Sequence, residues 1–250
     1  MTGTDDVLDY MHFAARAARV VEENGITPTV SRDFHKLKEI HRQARPDETL
    51  SPTFDPDTSD IGVNDGFWMQ GVSGNGDIVQ LQAMRLYELG KQTLVDHLTE
   101  RAEEYAPFGK GVDVKRSSFD CAPVMSKITG RVVYHGEFWL SKEARGRGFT
   151  GVFPRFLLFL AQQCWNPDWV FGLQAKTNAY RGLGQKEGYV HTDMQGVRWA
   201  LNDSGWYDEA LVWMHREDMA GLLRFEPADI WDDLEGLRRP FPEPEISLVT

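Results

Sequence analysis

Apolar residues recur at helical spacing from Asp5 to Asn24, where Val7, Leu8, Met11, Ala14, Ala15, Ala18 and Val21 form one stripe. Asn24-Gly25 ends that helix, and Thr4-Asp5-Asp6 offers capping oxygens at its start. A second helix is predicted over Asp33 to Arg45, with Phe34, Leu37, Ile40 and Ala44 inward and Pro46 closing it. The pattern then changes to strand-like runs. Phe67–Val72 and Asp77–Leu86 flank Ser73-Gly74-Asn75-Gly76, an Asn-Gly turn signal, so Gly66 to Leu89 reads as a hairpin. Lys91 to Tyr105 is helical, with Leu94, Val95, Leu98 and Ala102 on one side. Arg131–Leu140 reads as a strand, Val152–Trp165 as a strongly apolar helix and Asp168–Ala175 as an apolar strand. Val197–Leu201 and Ala210–Arg216 follow as strands, then Glu217–Phe225 and Pro227–Arg239 as helices, and Pro240 to Thr250 as an extended tail. Thr49 to Asp65, rich in Pro, Asp, Ser and Thr, is an ordered loop or a lid.

With 250 residues, no repeats and no low-complexity linker, the economical division is an N-terminal helical extension with an acidic loop, 1–65, and a main domain, 66–250, in one structural unit. A hydrophobic content of 41% with eight tryptophans argues for a folded protein. The net charge of -11 weighs against a nucleic-acid partner, which needs a basic face, and fits a cationic one, although an ordinary acidic protein has the same balance. No run approaches ~18 apolar residues and no apolar signal region follows Met1, so a cytoplasmic protein without a membrane partner is expected. Cys121 and Cys164 make no disulfide framework and have no His partner in sequence. Asp55, Asp57 and Asp60 lack the Gly and terminal Glu of a calcium loop and read as a solvated loop, and the histidines lack ligand spacing. No metal is expected.

The chemistry concentrates in Arg145-Gly146-Arg147-Gly148-Phe149-Thr150-Gly151, between a predicted strand and a predicted helix. A glycine-rich turn at that place exposes backbone N–H groups at the positive end of the helix, which suits a phosphate. Arg145 and Arg147 add charge at the rim. There is no Lys-Ser or Lys-Thr pair after the glycines, as a P-loop requires, and no repeating βαβ pattern of a dinucleotide fold around them.

Leu140 to Thr150 resembles the acyl-CoA loop of the GNAT-type N-acyltransferases, Arg/Gln-x-x-Gly-x-Gly/Ala after their fourth strand. Arg145, Gly148 and Thr150 fall on those positions, with Thr150 in place of the usual small residue. Downstream, Leu183 and Gly188-Tyr189 match the family's short helix, Asn178 sits one place late with Thr177 in its column, and Gly184 occupies the column of the general-acid tyrosine. The resemblance covers roughly Gly66 to Arg216. It implies an α+β fold: a central mixed, mostly antiparallel sheet with splayed central strands flanked by helices, here preceded by the N-terminal helical extension.

The resemblance also implies an activity, transfer of an acyl group, most simply acetyl, from acyl-CoA to an amine by direct attack. The backbone of Phe138, Trp139 and Leu140 is expected to hold the pantetheine arm, with Asn178 on its other side and an amide near a bulge polarising the thioester. Gly146, Phe149 and Gly151 complete the cradle with Arg145, Arg147, Gly148 and Thr150. Glu137 and His135, two apart on one strand and so expected on one face, are base candidates, or else a glutamate paired with an arginine and a satisfied, half-buried histidine. Tyr180, one turn before Gly184, is the acid candidate, or a packing aromatic. The acceptor is expected to be a small or peptidic cationic amine. Trp68, Trp206 and Tyr207 would line its pocket or pack in the core, and Asp203, Asp208 or Glu209 would attract it. The Asp33–Arg45 helix is expected beside the splayed strands with Thr49–Asp65 as one wall of the acceptor site, the alternatives being a buttress or a homodimer contact. Two rival functions stay open: a non-catalytic acyl-CoA sensor, and a transferase using another acyl carrier held by Arg145, Arg147 and Arg155.

Overall fold

A computed structural model describes residues 4–222. The predicted Pro227–Arg239 helix and the extended tail lie outside those residues, as does the end of the Glu217–Phe225 helix. The described strands are β1 (Ile26–Ser31), β2 (Gly66–Ser73), β3 (Ile78–Gly90), β4 (Val112–Ser118), β5 (Gly130–Leu140), β6 (Trp169–Ala175), β7 (His191–Leu201) and β8 (Trp206–His215). They form one sheet in the order β1-β2-β3-β5-β6-β8-β7-β4. Every neighbouring pair is antiparallel except β5 and β6, which are parallel. The helices are α1 (Thr4–Glu23), α2 (Phe34–Ala44), α3 (Leu94–Glu100), α4 (Ala102–Tyr105), α5 (Phe149–Trp165), α6 (Lys176–Tyr180), α7 (Leu183–Glu187) and α8 (Arg216–Leu222).

The strands are apolar on both sides because helices cover both faces. Successive residues alternate between the two cores, as with Val132 and Val133 or Leu211 and Val212. On one face α1 and α5 bury Phe13, Ala17, Phe149, Phe153 and Leu157 against Val133, Val170 and Val212. On the other, α2 and its following loop bury Phe34, Leu37 and Phe54 on Trp68 and Ala83. There α3 and α4 bury Leu94, Leu98 and Tyr105 against Val132 and Phe171.

α2 begins where the sequence predicts, with the Asp33 carboxylate accepting from the Lys36 amide. The predicted Lys91–Tyr105 helix is broken at Arg101 into α3, opened by a Thr93–Asp96 capping box, and α4. Two strands are absent from the sequence reading. β1 is short and contains Pro28, and β4, Val-Asp-Val-Lys-Arg-Ser-Ser, is a polar edge strand with register breaks. Through β1 the first 65 residues join the sheet itself and place α1 on one face and α2 on the other.

Candidate functional site

β5 and β6 pair only over Val132–Tyr134 against Trp169–Phe171, although both strands continue well past that point. Beyond Tyr134 and Phe171 the two strands diverge and leave a wedge between them. A bulge marks the β5 side of the wedge. Leu81 pairs with Trp139 but Ala83 with Gly136, so Gln82 stands opposite both Glu137 and Phe138. Glu137 takes a φ of 55°, a left-handed conformation that a non-glycine residue adopts only under tertiary constraint.

The chain leaves β5 at Leu140, turns through Ser141–Arg145, and enters α5 at Phe149. Gly146 (φ 71°) and Gly148 (φ 76°, the residue preceding the helix) supply the left-handed turn that aims the first amides of α5 outward. A β-carbon at Gly146 would have open space around it. Arg145 Nε donates to Leu140 O at 2.9 Å, and Arg147 lies 5.2 Å from the Phe149 ring centroid. A mixed sheet with a splayed parallel pair, a bulge on the first splayed strand and a glycine turn into the next helix is what the resemblance implies. The described architecture meets that expectation.

No family model matches the chain, and no curated protein does. Among solved structures it is similar to Arabidopsis thaliana NAA60 in complex with acetyl-CoA, at 14% identity and a TM-score of 0.45, over 76% of this chain and 98% of that one. It is also similar to the spermidine/spermine N-acetyltransferase SpeG from Vibrio cholerae, at 12% identity and a TM-score of 0.45, over 82% of this chain and 99% of that one.

The structure corrects the expectation that His135 and Glu137 share a strand face. The bulge turns Glu137 toward α2, while His135 faces the α5 side. His135 is buried. Its Nδ1 lies 3.0 Å from the Tyr189 hydroxyl and its Nε2 lies 3.1 Å from Gln82 Oε1. Gln82 Nε2 donates to Phe153 O, so its oxygen accepts from His135 Nε2 and leaves Nδ1 to accept from Tyr189. Burial lowers the imidazole pKa to about 3, so the ring stays neutral and both its nitrogens are engaged.

Glu137 keeps only 9% of its side chain exposed yet is ionised. Arg45 Nη1 donates at 2.8 Å, the Ser51 amide at 3.0 Å, and His41 Nε2 lies 3.2 Å away. Burial pushes the carboxyl up, but His41, Arg45 and the Ser51 amide together outweigh it and hold it below its ordinary value. The loop after α2 is therefore tied to the bulge. It is tied again by Arg85, a buried guanidinium that donates to Thr53 O at 3.0 Å and pairs with Asp60. Asp55 and Asp57 pair with Lys38. The acidic cluster is thus an anchor for the loop, not a merely solvated run.

Tyr180 is 76% exposed at the end of α6, and Asn178 is also exposed there. Gly184 has no room for a side chain, since a β-carbon would stand 2.6 Å from Val212 Cγ1. Trp68 is buried, donating to Asp33 O, so it belongs to the core. Arg155 is buried too, its Nη1 donating to Gly151 O at 2.7 Å and also to the Lys186 carbonyl at the end of α7, which removes it from a surface patch with Arg145 and Arg147. Two groups with functional potential escaped the sequence reading. Tyr189 is the hydroxyl that fixes His135, and Tyr134 projects among Phe54, Tyr105 and Phe171 at the splay point. Position within the helix pattern and strand alternation give neither away.

Proposed function

We propose that the chain is an acyl-CoA-dependent N-acyltransferase, in its simplest form an acetyltransferase, acting on a small or peptidic cationic amine. One observation carries the reading: the splayed β5–β6 pair opens directly onto the glycine turn at the start of α5. That geometry suits a ligand with an extended amide-bearing arm and a pyrophosphate at its far end. The backbone of Phe138, Trp139 and Leu140 would partner the arm along the free side of β5, with Asn178 at the other edge. The amides from Gly146 to Thr150 would receive the phosphates, with Arg145 and Arg147 beside them; the Gly151 amide, expected in the cradle, instead donates to Gly148 O at 2.8 Å. The bulge at Glu137 leaves a backbone amide out of the ladder, a fixed dipole for a thioester carbonyl. Donor and acceptor held on either side of the wedge need little further chemistry beyond a proton acceptor and a returned proton. Glu137 serves this reading as the anchor of the α2 loop, and His135 as a fixed support under the bulge.

Calorimetry with acetyl-CoA on wild type, Gly148→Ala and Gly148→Glu tests the assignment. Alanine brings the same backbone strain as glutamate without its charge, so a large extra loss in the glutamate variant is expected. Equal affinities in two folded variants would overturn the site. The crowding of Gly184 by Val212 supports a second reading, a sensor that binds acyl-CoA without turnover. Binding with no acceptor-dependent release of CoA thiol would select it.

A further inference from the structure

The amine must lose a proton, and both candidates on β5 are already engaged. His135 is neutral with both ring nitrogens hydrogen-bonded, and Glu137 is locked by a guanidinium and a backbone amide. A different carboxylate stands at the open end of the wedge. Glu209 on β8 pairs in register with Ala175, the last residue of β6, on the far side from β5. It also faces Val197 on β7, and its Oε2 accepts from the Trp199 indole at 2.8 Å. Cross-strand partners share a face, so Glu209 lies on the face of Leu173 and Phe171, the one covered by α3, α4 and the α2 loop. That is the face opposite α5, where the glycine turn would hold the donor.

Tyr134 on β5, Leu173 on β6 and Glu209 on β8 are only half-buried there, whereas Phe171, Trp199 and Leu211 around them are fully covered. These three partly covered residues stand on three adjacent strands of that face. The Glu209 carboxylate has no cationic partner among the described residues; the neighbouring Asp208 turns instead to Lys176 and Arg198. The charges of Glu209 and Glu137 both reach the Tyr134 hydroxyl, which burial first of all holds protonated well above its ordinary range. A carboxylate without a cationic partner, bordered by the Trp199 indole and on the same sheet face as the Tyr134 phenol, suits a primary ammonium.

We propose that Glu209 takes the proton from the acceptor ammonium, with the Tyr134 hydroxyl orienting the amine; this rests on the transferase reading above. The carboxylate removes one proton from R–NH3+. The freed nitrogen forms the C–N bond at the thioester carbonyl while the C–S bond breaks, the nitrogen's surplus proton goes to the leaving thiolate, and Glu209 returns its proton to solvent. Trp199 from β7 donates to Glu209, and Tyr134 of β5 and Tyr207 of β8 lie within reach of its charge. Burial lifts the Glu209 carboxyl to about 7, the Trp199 hydrogen bond opposing, which matches a base working near neutral pH.

The test uses acetyl-CoA as donor and 1,4-diaminobutane, benzylamine and alanine amide as acceptors, with wild type, Glu209→Gln and Glu209→Asp. At pH 7, kcat/KM of Glu209→Gln is expected to fall by about a hundredfold or more, with acetyl-CoA affinity within a factor of two of wild type. Glu209→Asp should retain an intermediate rate. The rate of Glu209→Gln should then climb about tenfold per pH unit as the free-amine fraction grows, a rescue that a purely structural lesion would not give. If wild type acetylates an amine and Glu209→Gln keeps both its rate and its pH profile, the Glu209 assignment fails alone. Loss of acetyl-CoA affinity without alkaline rescue would make Glu209 structural and also overturn it. If wild type binds acetyl-CoA but acetylates none of the three amines, the transferase reading fails and takes this proposal with it.

Discussion

Arg45 and Glu137 meet at 2.8 Å although 92 residues separate them, and the contact joins the end of α2 to the bulge of β5. The pair explains how a glutamate can hold a φ of 55°: its side chain is fixed from outside the strand. Glu137→Gln removes the anion and leaves Arg45 and His41 facing each other, so a stability loss of about 2–4 kcal/mol is expected. Because the folded carboxyl lies below its ordinary value, its contribution is present above the unfolded value and is lost as pH falls through the folded one. Urea midpoints of wild type and variant should therefore differ clearly at pH 7 and converge at acid pH. A constant gap across the whole range would assign the loss to packing.

His135 gives the opposite titration class and the same direction. Its folded pKa of about 3 is depressed from about 6.5, so the unfolded chain binds one more proton below pH 6.5. Wild-type stability should fall on acidification from 6.5 toward 3, the His135 share being up to about 1.4 kcal/mol per pH unit. His97, buried near Arg101 and Arg85 with a pKa of about 4, adds a second such slope. His135→Gln should be less stable at pH 7 yet show a shallower acid slope. Tyr189→Phe should cost about 1–3 kcal/mol by leaving Nδ1 without its donor. Parallel acid slopes for wild type and His135→Gln would contradict the neutral, buried imidazole.

The element pattern was largely legible because periodicity follows burial: α1, α2, the β2–β3 hairpin, β5, α5, β6 and the core of β8 stand close to their expected bounds. The glycine turn was legible because left-handed backbone at Gly146 and Gly148 is written in the residue type itself. The resemblance implied a bulge on this strand, but its exact place was not legible. It turns the backbone left-handed at Glu137 and not at the neighbouring Gly136, and it reverses the face of every later β5 residue. That one residue accounts for the misplaced pairing of His135 with Glu137. Arg155 was assigned to a surface patch for a related reason: an arginine can bury itself on helix carbonyls, and its partners are not local in sequence.

Gly184 offers a steric test of why the tyrosine column is empty. A β-carbon there would stand 2.6 Å from Val212 Cγ1 in a fully packed core, so Gly184→Ala should cost about 1–3 kcal/mol. Val212→Ala opens that space, and the double variant should lose less than the sum of the two single losses. Strictly additive losses, measured by denaturant unfolding, would show that Val212 is not the obstacle.

The α2 loop is better described as a fixed wall than as a lid. Phe54 is fully buried against Tyr134 and would collide with a β-carbon at Gly136, the Ser51 amide binds Glu137, and Arg85 binds Thr53 O and Asp60 from beneath. The buried member of this set is Arg85, while Asp60 is largely exposed, so the stabilising share rests on the backbone bond to Thr53 and on packing over Tyr87 more than on the ion pair. Arg85→Met keeps much of the volume but releases Thr53 O and Asp60. It should lower stability by about 2–3 kcal/mol. With a turned-over amine it should raise the acceptor KM several-fold and leave acetyl-CoA affinity unchanged, because the loosened wall borders the Tyr134 side of the sheet and not the α5 side. Equal losses in acceptor KM and acetyl-CoA affinity would mean that Arg85 supports the whole sheet and that the loop is no wall of the acceptor site.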